Sequence, residues 1–175
     1  MISTIRTRRL LCAAAVSFTV LAAAACSSSS DTDTEAVAFT AEDGTFTAEF
    51  PNQPKRDTQS QSAGGVNLEI VIYTSEVDNG AVTVTYTDSP VALDADAALA
   101  GAVQGSATQV KGTVTSSNDT TFLGYPAKDA EISVEGGDVY ERIFLVGQRL
   151  YVIGAASGKG RPDAYDRLLE TFKLT

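Results

Sequence analysis

Apolar residues recur at every second position through most of this chain, and that spacing restricts it to a fold built on a β-sheet. Residues 66–73 and 82–87 alternate in this way on either side of Asp78-Asn79-Gly80, whose residue types favour a turn. Further extended segments are predicted at residues 39–42, 46–50, 110–115, 120–123, 127–134, 140–146 and 149–153. Turn residues separate most of these segments, among them the Ser, Asn and Asp residues between 115 and 120, which are predicted to form a turn. We therefore expect neighbouring strands to be antiparallel.

Two segments have the spacing of a helix instead. Asp94 is a favourable N-cap for the first, and Pro162 is tolerated at the start of the second. The apolar stripes are Ala95, Leu99, Ala102 and Val103 in the first helix and Tyr165, Leu168, Leu169 and Phe172 in the second. Gly101 and Gly105 each weaken the first helix by about 1 kcal/mol relative to alanine, so we expect packing to hold it in place.

Residues 143–146, Ile-Phe-Leu-Val, are apolar on both faces of their strand. A strand of this kind is usually covered on both sides. Gly147-Gln148 follows, with glycine in the first loop position as a type II′ hairpin requires. These patterns predict an α+β fold in which a twisted antiparallel sheet of about six strands carries helices on both faces. The polar residues 52–65 are predicted to form a loop.

The first 25 residues have the pattern of a signal peptide. Three arginines precede an apolar stretch that is short for a membrane-spanning helix, and small residues lead up to a cleavage site after Ala25. A permanent transmembrane anchor is the less favoured alternative. Residues 7–11, Thr-Arg-Arg-Leu-Leu, also resemble a twin-arginine signal, so both the general and the twin-arginine export routes remain open.

Residues 23–26, Ala-Ala-Ala-Cys, resemble the lipobox of bacterial lipoproteins, although Ala23 stands where leucine is usual. The resemblance implies that Cys26 carries a diacylglycerol with acyl chains such as palmitate, and two chains suffice for stable membrane attachment. Residues 26–37 are mostly polar and acidic, so we expect a flexible tether. The predicted location is the outer face of the cell membrane. The alternative is ordinary cleavage, which releases a free secreted protein.

Composition limits what the remaining chain can do. Removing residues 1–25 removes three of the 13 basic residues and none of the 22 acidic ones, which leaves a net charge of −12. That charge argues against binding nucleic acid through a basic patch. Cys26 is then the only cysteine, so an internal disulfide is impossible. Residues 38–175 are long enough to form one domain held together by its own core.

The residues that usually carry catalysis are scarce. The chain contains no histidine, which removes the Ser-His-Asp triad and the ligand most common in catalytic zinc sites. Residues 154–160 look like a phosphate-binding loop but have the wrong spacing, and Gly160 stands where a magnesium-binding serine or threonine is needed. The carboxylates are scattered. We therefore expect no catalytic residues, no metal site, no cofactor and no enzymatic activity.

Two segments resemble the PsbP-like fold. They are residues 43–51, Asp-Gly-x-Phe-x-Ala-x-Phe-Pro, and residues 140–151, Tyr-x-Arg-x-Phe-Leu-Val-Gly-x-Arg-Leu-Tyr. The resemblance covers residues 38–175 and extends to bacterial lipoproteins of the LpqN type. It implies a twisted antiparallel sheet with helices on both faces. It also implies an accessory role, either docking onto an envelope protein or holding a lipid or glycolipid.

Arg142 and Arg149 are the candidate ligand or partner contacts, because they flank the central hairpin of an acidic protein. The competing interpretation pairs them across strands with Glu141 or Glu135. The sequence thus predicts a membrane-anchored, non-enzymatic binding or adaptor module of the cell envelope. The alternatives are a carrier of a small apolar ligand or glycolipid and, less favoured, a hydrolase that uses two carboxylates meeting in space.

Overall fold

The computed structural model describes residues 36–63 and 66–175. The predictions for the signal peptide, its cleavage after Ala25, the lipid on Cys26 and nearly all of the tether lie outside these residues. Within the described residues, no helix has both the length and the apolar character needed to cross a membrane.

Ten strands and two helices are found in the described part of the chain. The small sheet consists of β1 (Val37–Thr40), β2 (Phe46–Phe50) and, at the end of the chain, β10 (Lys173–Leu174). The large sheet consists of β3 (Lys55–Ala63), β4 (Val66–Val77), β5 (Gly80–Asp88), β6 (Thr113–Phe122), β7 (Tyr125–Val134), β8 (Gly137–Val146) and β9 (Arg149–Ser157). The helices are α1 (Ala95–Gln109) and α2 (Asp163–Thr171).

Both sheets are antiparallel. The large sheet has the order β3-β4-β5-β9-β8-β7-β6, and the small sheet has the order β1-β2-β10. The prediction of about six strands in one sheet was therefore too low, since the large sheet has seven strands and the opening hairpin belongs to a second sheet. Gly147 has a φ of 62°, which fits the predicted tight hairpin between β8 and β9.

The predicted loop at residues 52–65 was wrong for most of its length. β3 pairs with β4 from Lys55 opposite Thr74 to Ala63 opposite Val66. The side chains of β3 from Lys55 to Ser62 are exposed. An outer strand of this kind buries no face, so its residues carry no apolar alternation to reveal it.

One face of the large sheet, which we call the aromatic face, is covered by the small sheet and α2. Tyr73, Phe144 and Tyr151 lie on it, in one cluster with Phe46 of β2 and Phe172 after α2. α2 begins after Pro162 and buries Tyr165 and Leu168, as its spacing predicted. The cluster is dense: the rings of Phe144 and Tyr151 stack at 5.1 Å, and those of Phe46 and Phe172 also stack at 5.1 Å.

The opposite face, the α1 face, is covered over β6, β7 and β8 by α1. The Asp94 side chain caps α1 as predicted, since its Oδ1 accepts from the Ala97 amide at 2.9 Å. Leu99 and Val103 pack on Ala130 and Ile143. The expectation of helices on both faces was thus inexact, because the aromatic face is covered by a three-stranded sheet together with α2.

Candidate functional site

Arg142 and Arg149, the two predicted contact residues, lie on the aromatic face but in separate clusters. Arg142 on β8 is opposite Ile153 on β9, which is four residues, or about 13 Å, along the strand from Arg149. The stacked rings of Phe144 and Tyr151 cover the sheet between the two arginines. Arg142 and Arg149 therefore cannot both contact one small ligand.

All three guanidinium nitrogens of Arg149 donate to neighbouring side chains. Its Nε and Nη2 donate to the two carboxylate oxygens of Asp88 at 2.6 Å each, and its Nη1 donates to Asp43 at 2.7 Å and Thr45 at 2.9 Å. The guanidinium lies 4.3 Å from the ring centre of Tyr86. Arg149 therefore joins the turn between β1 and β2 to the large sheet, which is a structural role.

The charge of Arg149 also acts on Asp43. Partial burial works to raise the pKa of this carboxyl, but hydrogen bonds from Thr45 and Arg149 outweigh it and lower the pKa below its ordinary value. Asp43 therefore stays ionised and paired. The sequence interpretation that gave Arg149 a structural carboxylate partner had the right kind of contact, although it named Glu141 and Glu135.

Arg142 forms one bidentate pair across β7 and β8. Its Nε and Nη2 donate to the two oxygens of Asp129 at 2.6 and 2.7 Å, and its guanidinium lies 5.2 Å from the ring centre of Phe122. Neither Glu141 nor Glu135 is its partner, because Asp129 is the residue opposite Arg142 in the register. Arg142 is half-buried, and its partner Asp129 also lines a groove.

This groove, the α2 groove, lies on the aromatic face where β6, β7 and β8 extend beyond the packed core. Its volume is about 180 Å³. The register places two rows of side chains across its floor, Asn118 beside Asp129 and Ser116 beside Glu131 and Tyr140. Alternate residues of each strand point to the same face, so these polar groups converge on one surface.

α2 and the segment before it form the wall of the groove. Tyr165 is only 2 % exposed, and its ring centre lies 6.5 Å from that of Tyr140. Arg161 lies 4.7 Å from the ring centre of Tyr165 and forms an ion pair with Asp166. The wall thus combines the ring of Tyr165 with the guanidinium of Arg161, which is paired with Asp166, and the ring of Tyr140 lies on the floor beside it.

Both tyrosine hydroxyls remain protonated. Burial, and next the negative charge of Asp129, raise the pKa of Tyr165 well above its ordinary range. Burial followed by Asp138 and Glu131 also raises the pKa of Tyr140. The two tyrosines therefore contribute neutral hydroxyls to a groove that also contains the carboxylates of Asp129 and Glu131.

Glu141 faces α1, on the side of β8 opposite the groove side chains. It is 9 % exposed, and within the described residues its Oε2 has no hydrogen-bond partner. Burial raises the pKa of this carboxyl, and a hydrogen bond with Ser106 only partly offsets that effect. Glu141 is thus an uncompensated buried acid rather than the partner of an arginine.

Reasoning from the sequence missed the groove. Tyr140 was treated as part of a strand and Tyr165 as part of a buried stripe, and both descriptions hold. The weak signal was the polar run at residues 115–121, which was interpreted as containing a turn but forms the middle of β6. Among the described residues, no three His, Cys, Asp or Glu side chains are grouped so as to hold a metal ion.

Comparison with known proteins identifies the fold but no family. No protein-family model matches the chain, and no curated protein sequence matches it. The solution structure of cyanobacterial PsbP (CyanoP) from Synechocystis sp. PCC 6803 is similar, with a TM-score of 0.56 and 10 % sequence identity. The match covers 86 % of this chain and 98 % of that chain. The domain therefore has a PsbP-like fold.

Proposed function

We propose that this chain is an exported lipoprotein that displays a non-enzymatic binding module on the outer face of the cell membrane, and that the α2 groove is its binding site. The observation that supports this best is the groove itself, where Asp129, Glu131 and Tyr140 of neighbouring strands line one depression beside Tyr165 of α2. Concave sites in which several polar groups converge next to aromatic rings are typical of binding sites.

The arrangement of charges supports binding more than catalysis. Both oxygens of Asp129 are engaged by the guanidinium of Arg142, whereas a general base needs an oxygen that can reach the proton of a substrate. The alternative of an apolar-ligand carrier has less support. Aromatic side chains fill the space between the large sheet and its cover of small sheet and α2.

The proposed membrane attachment depends on Cys26 and is tested by replacing this residue. We expect Cys26→Ser to move the protein from the membrane fraction to the soluble fraction, because serine has no thiol to form the thioether with diacylglycerol. Cys12→Ser is the matched control, since Cys12 lies inside the predicted signal peptide. Membrane retention of Cys26→Ser equal to that of Cys12→Ser would refute lipid anchoring.

The binding role is tested separately, in intact cells, with a photo-reactive amino acid at Ser116. This residue lines the groove on an outer strand, where a larger side chain is tolerated. The control position is Gln61 on β3, at the opposite edge of the same sheet. We expect a reproducible cross-linked species from Ser116 alone. Equal products at both positions, or none at Ser116, would count against the groove as a binding site.

A further inference from the structure

Three arginines of this domain have the same two contacts. Each guanidinium lies 4.3, 4.7 or 5.2 Å from the centre of an aromatic ring and also forms an ion pair with a carboxylate. The three sets are Arg142 with Phe122 and Asp129, Arg149 with Tyr86 and Asp88, and Arg161 with Tyr165 and Asp166. The face of the ring attracts the cation, and the carboxylate accepts its N–H groups. A ring beside a carboxylate is therefore the environment in which this fold holds a guanidinium.

Tyr140 and Glu131 form a fourth pair of ring and carboxylate, and both line the α2 groove. They are directly opposite each other on β8 and β7, which places their Cβ atoms roughly 5 Å apart. Among the described residues, no arginine lies over the ring of Tyr140, and no lysine or arginine pairs with Glu131. Arg161 also lines the groove, but it is bound by Tyr165 and Asp166. The groove thus has a ring and a negative charge to which the described chain brings no cation.

Several features of the groove favour a guanidinium over other cations. A metal ion is disfavoured, because no three His, Cys, Asp or Glu side chains of the described residues are grouped to hold one. A quaternary ammonium has no N–H to donate to Glu131, and a lysine ammonium has no flat face to lie on Tyr140. The groove volume of about 180 Å³ is below that of a pocket for a drug-sized molecule and suits one side chain. Asn118 on the outer strand β6 is exposed, so the rest of a large partner can stay outside.

We propose that the α2 groove binds an arginine side chain of a partner protein. This rests on the proposed function, since it names the group that the same site recognises. The guanidinium lies on the ring of Tyr140 and donates to the carboxylate of Glu131. Asp138, two residues before Tyr140 and on the same face of β8, adds a further negative charge beside the ring. The net charge of the chain, −9, attracts a basic partner toward this surface.

The test is a nuclear magnetic resonance titration of the isotope-labelled full chain, purified in detergent, with end-blocked tripeptides. The central residue of the peptide is arginine, lysine or citrulline, which has the shape of arginine without its charge. We expect saturable shifts of the Tyr140 and Glu131 amide signals with the arginine peptide, weaker binding of the lysine peptide and none of the citrulline peptide. No binding of the arginine peptide overturns the proposal. Equally tight binding of the lysine or the citrulline peptide also overturns it.

A matched pair of variants locates the binding. Glu131→Gln removes the carboxylate from an exposed residue, so the domain folds normally, and we expect the arginine peptide to bind roughly tenfold more weakly. Glu135→Gln is the control, since it changes the net charge equally at an exposed residue outside the groove lining. An equal loss of affinity in both variants would indicate attraction to the overall charge and overturn the proposal, as would wild-type affinity in Glu131→Gln.

Variants of Tyr140 test the contribution of the ring. We expect Tyr140→Phe, which keeps the ring, to bind the arginine peptide like the wild type, and Tyr140→Leu to bind it roughly threefold more weakly. Where Tyr140→Leu fails to fold, Glu131→Gln still decides the result. Absent arginine binding with a persistent Ser116 cross-link in cells would overturn the arginine and leave the binding module. A missing Ser116 cross-link would count against the groove itself.

Discussion

Phe144 and Ile143 are adjacent on β8 and fully buried, but their side chains pack on opposite faces of the sheet, in two different hydrophobic clusters. Phe144 stacks on Tyr151 and contacts the rings of Phe122 and Phe172. Ile143 meets the leucine, valine and alanine side chains of the α1 interface. The same strand therefore separates a layer of large rigid rings from a thin layer of small aliphatic groups.

This difference indicates which face contributes more to the free energy of unfolding. Aromatic side chains bury the largest areas and gain further energy from edge and offset contacts with one another. The α1 interface has fewer and smaller side chains, two glycines in the helix and a buried carboxylate without a full set of partners. We expect the aromatic face to dominate the free energy of unfolding, with α1 the less stable cover.

The largest effect is expected from truncating the two adjacent side chains. Phe144→Ala should lower the free energy of unfolding by about 4 kcal/mol, because it leaves a large cavity among rings that cannot rearrange. Ile143→Ala should cost about 2–3 kcal/mol, because α1 can shift toward a smaller cavity. Urea denaturation followed by circular dichroism measures both. An equal or larger loss in Ile143→Ala would contradict the proposed inequality of the two faces.

A smaller effect, of opposite sign, is expected at Glu141. Because burial raises its pKa above the ordinary value of 4.5, the folded state holds this proton more tightly than the unfolded chain does. Protonated Glu141 makes its full contribution to folding stability at pH below 4.5. That contribution is lost as the pH rises through the pKa that Glu141 has in the folded state. Glu141→Gln removes this loss, so we expect the variant to be about 1 kcal/mol more stable at pH 7.

The measurement for Glu141 is chemical denaturation of wild type and variant at a series of pH values. The stability difference should grow from acidic toward neutral pH, while carboxylates common to both proteins cancel. Glu135→Gln is the control, since Glu135 is an exposed acid in the turn between β7 and β8. A stability difference that does not change with pH would show that Glu141 is not an uncompensated buried acid.

The smallest effect is expected at the glycines of α1. A Cβ atom at Gly101 or Gly105 would meet nothing within 4 Å, so alanine there should stabilise the domain by roughly 0.5–1 kcal/mol. Gly112, just after α1, is the contrasting control, because its Cβ would lie 2.5 Å from the Ile132 side chain and 2.8 Å from the Ser133 carbonyl oxygen. Thermal denaturation should therefore show opposite shifts for Gly101→Ala and Gly112→Ala.

Local signals predicted the helices and hairpins well. The Asp94 cap, the apolar stripe of α2 and the Gly147 turn each depend on residues a few positions apart, so the sequence contains the whole pattern. β3 was missed because an exposed outer strand need not alternate. The Ser-Asn-Asp residues of β6 were interpreted as a turn because their types favour one, although pairing with β7 continues through them.

The candidate site could not be predicted, because it depends on contacts between distant segments. Arg149 binds Asp88, 61 residues away, and Asp43, 106 residues away. The groove requires the register that places Asp129 opposite Arg142 and the packing that brings Tyr165 of α2 near Tyr140. A sequence shows which carboxylates and tyrosines are available, but only the assembled sheet shows which of them meet.

The two outer strands of the large sheet have a consequence for self-association. An open sheet edge can add a strand from a second copy of the chain. β3 carries Lys55, Arg56 and Asp57, and β6 is bulged between Val114 and Ser116 and bears Asp119 further on. Charges and a bulge discourage such pairing. The edges of this sheet are thus suited to keeping copies of the chain from polymerising.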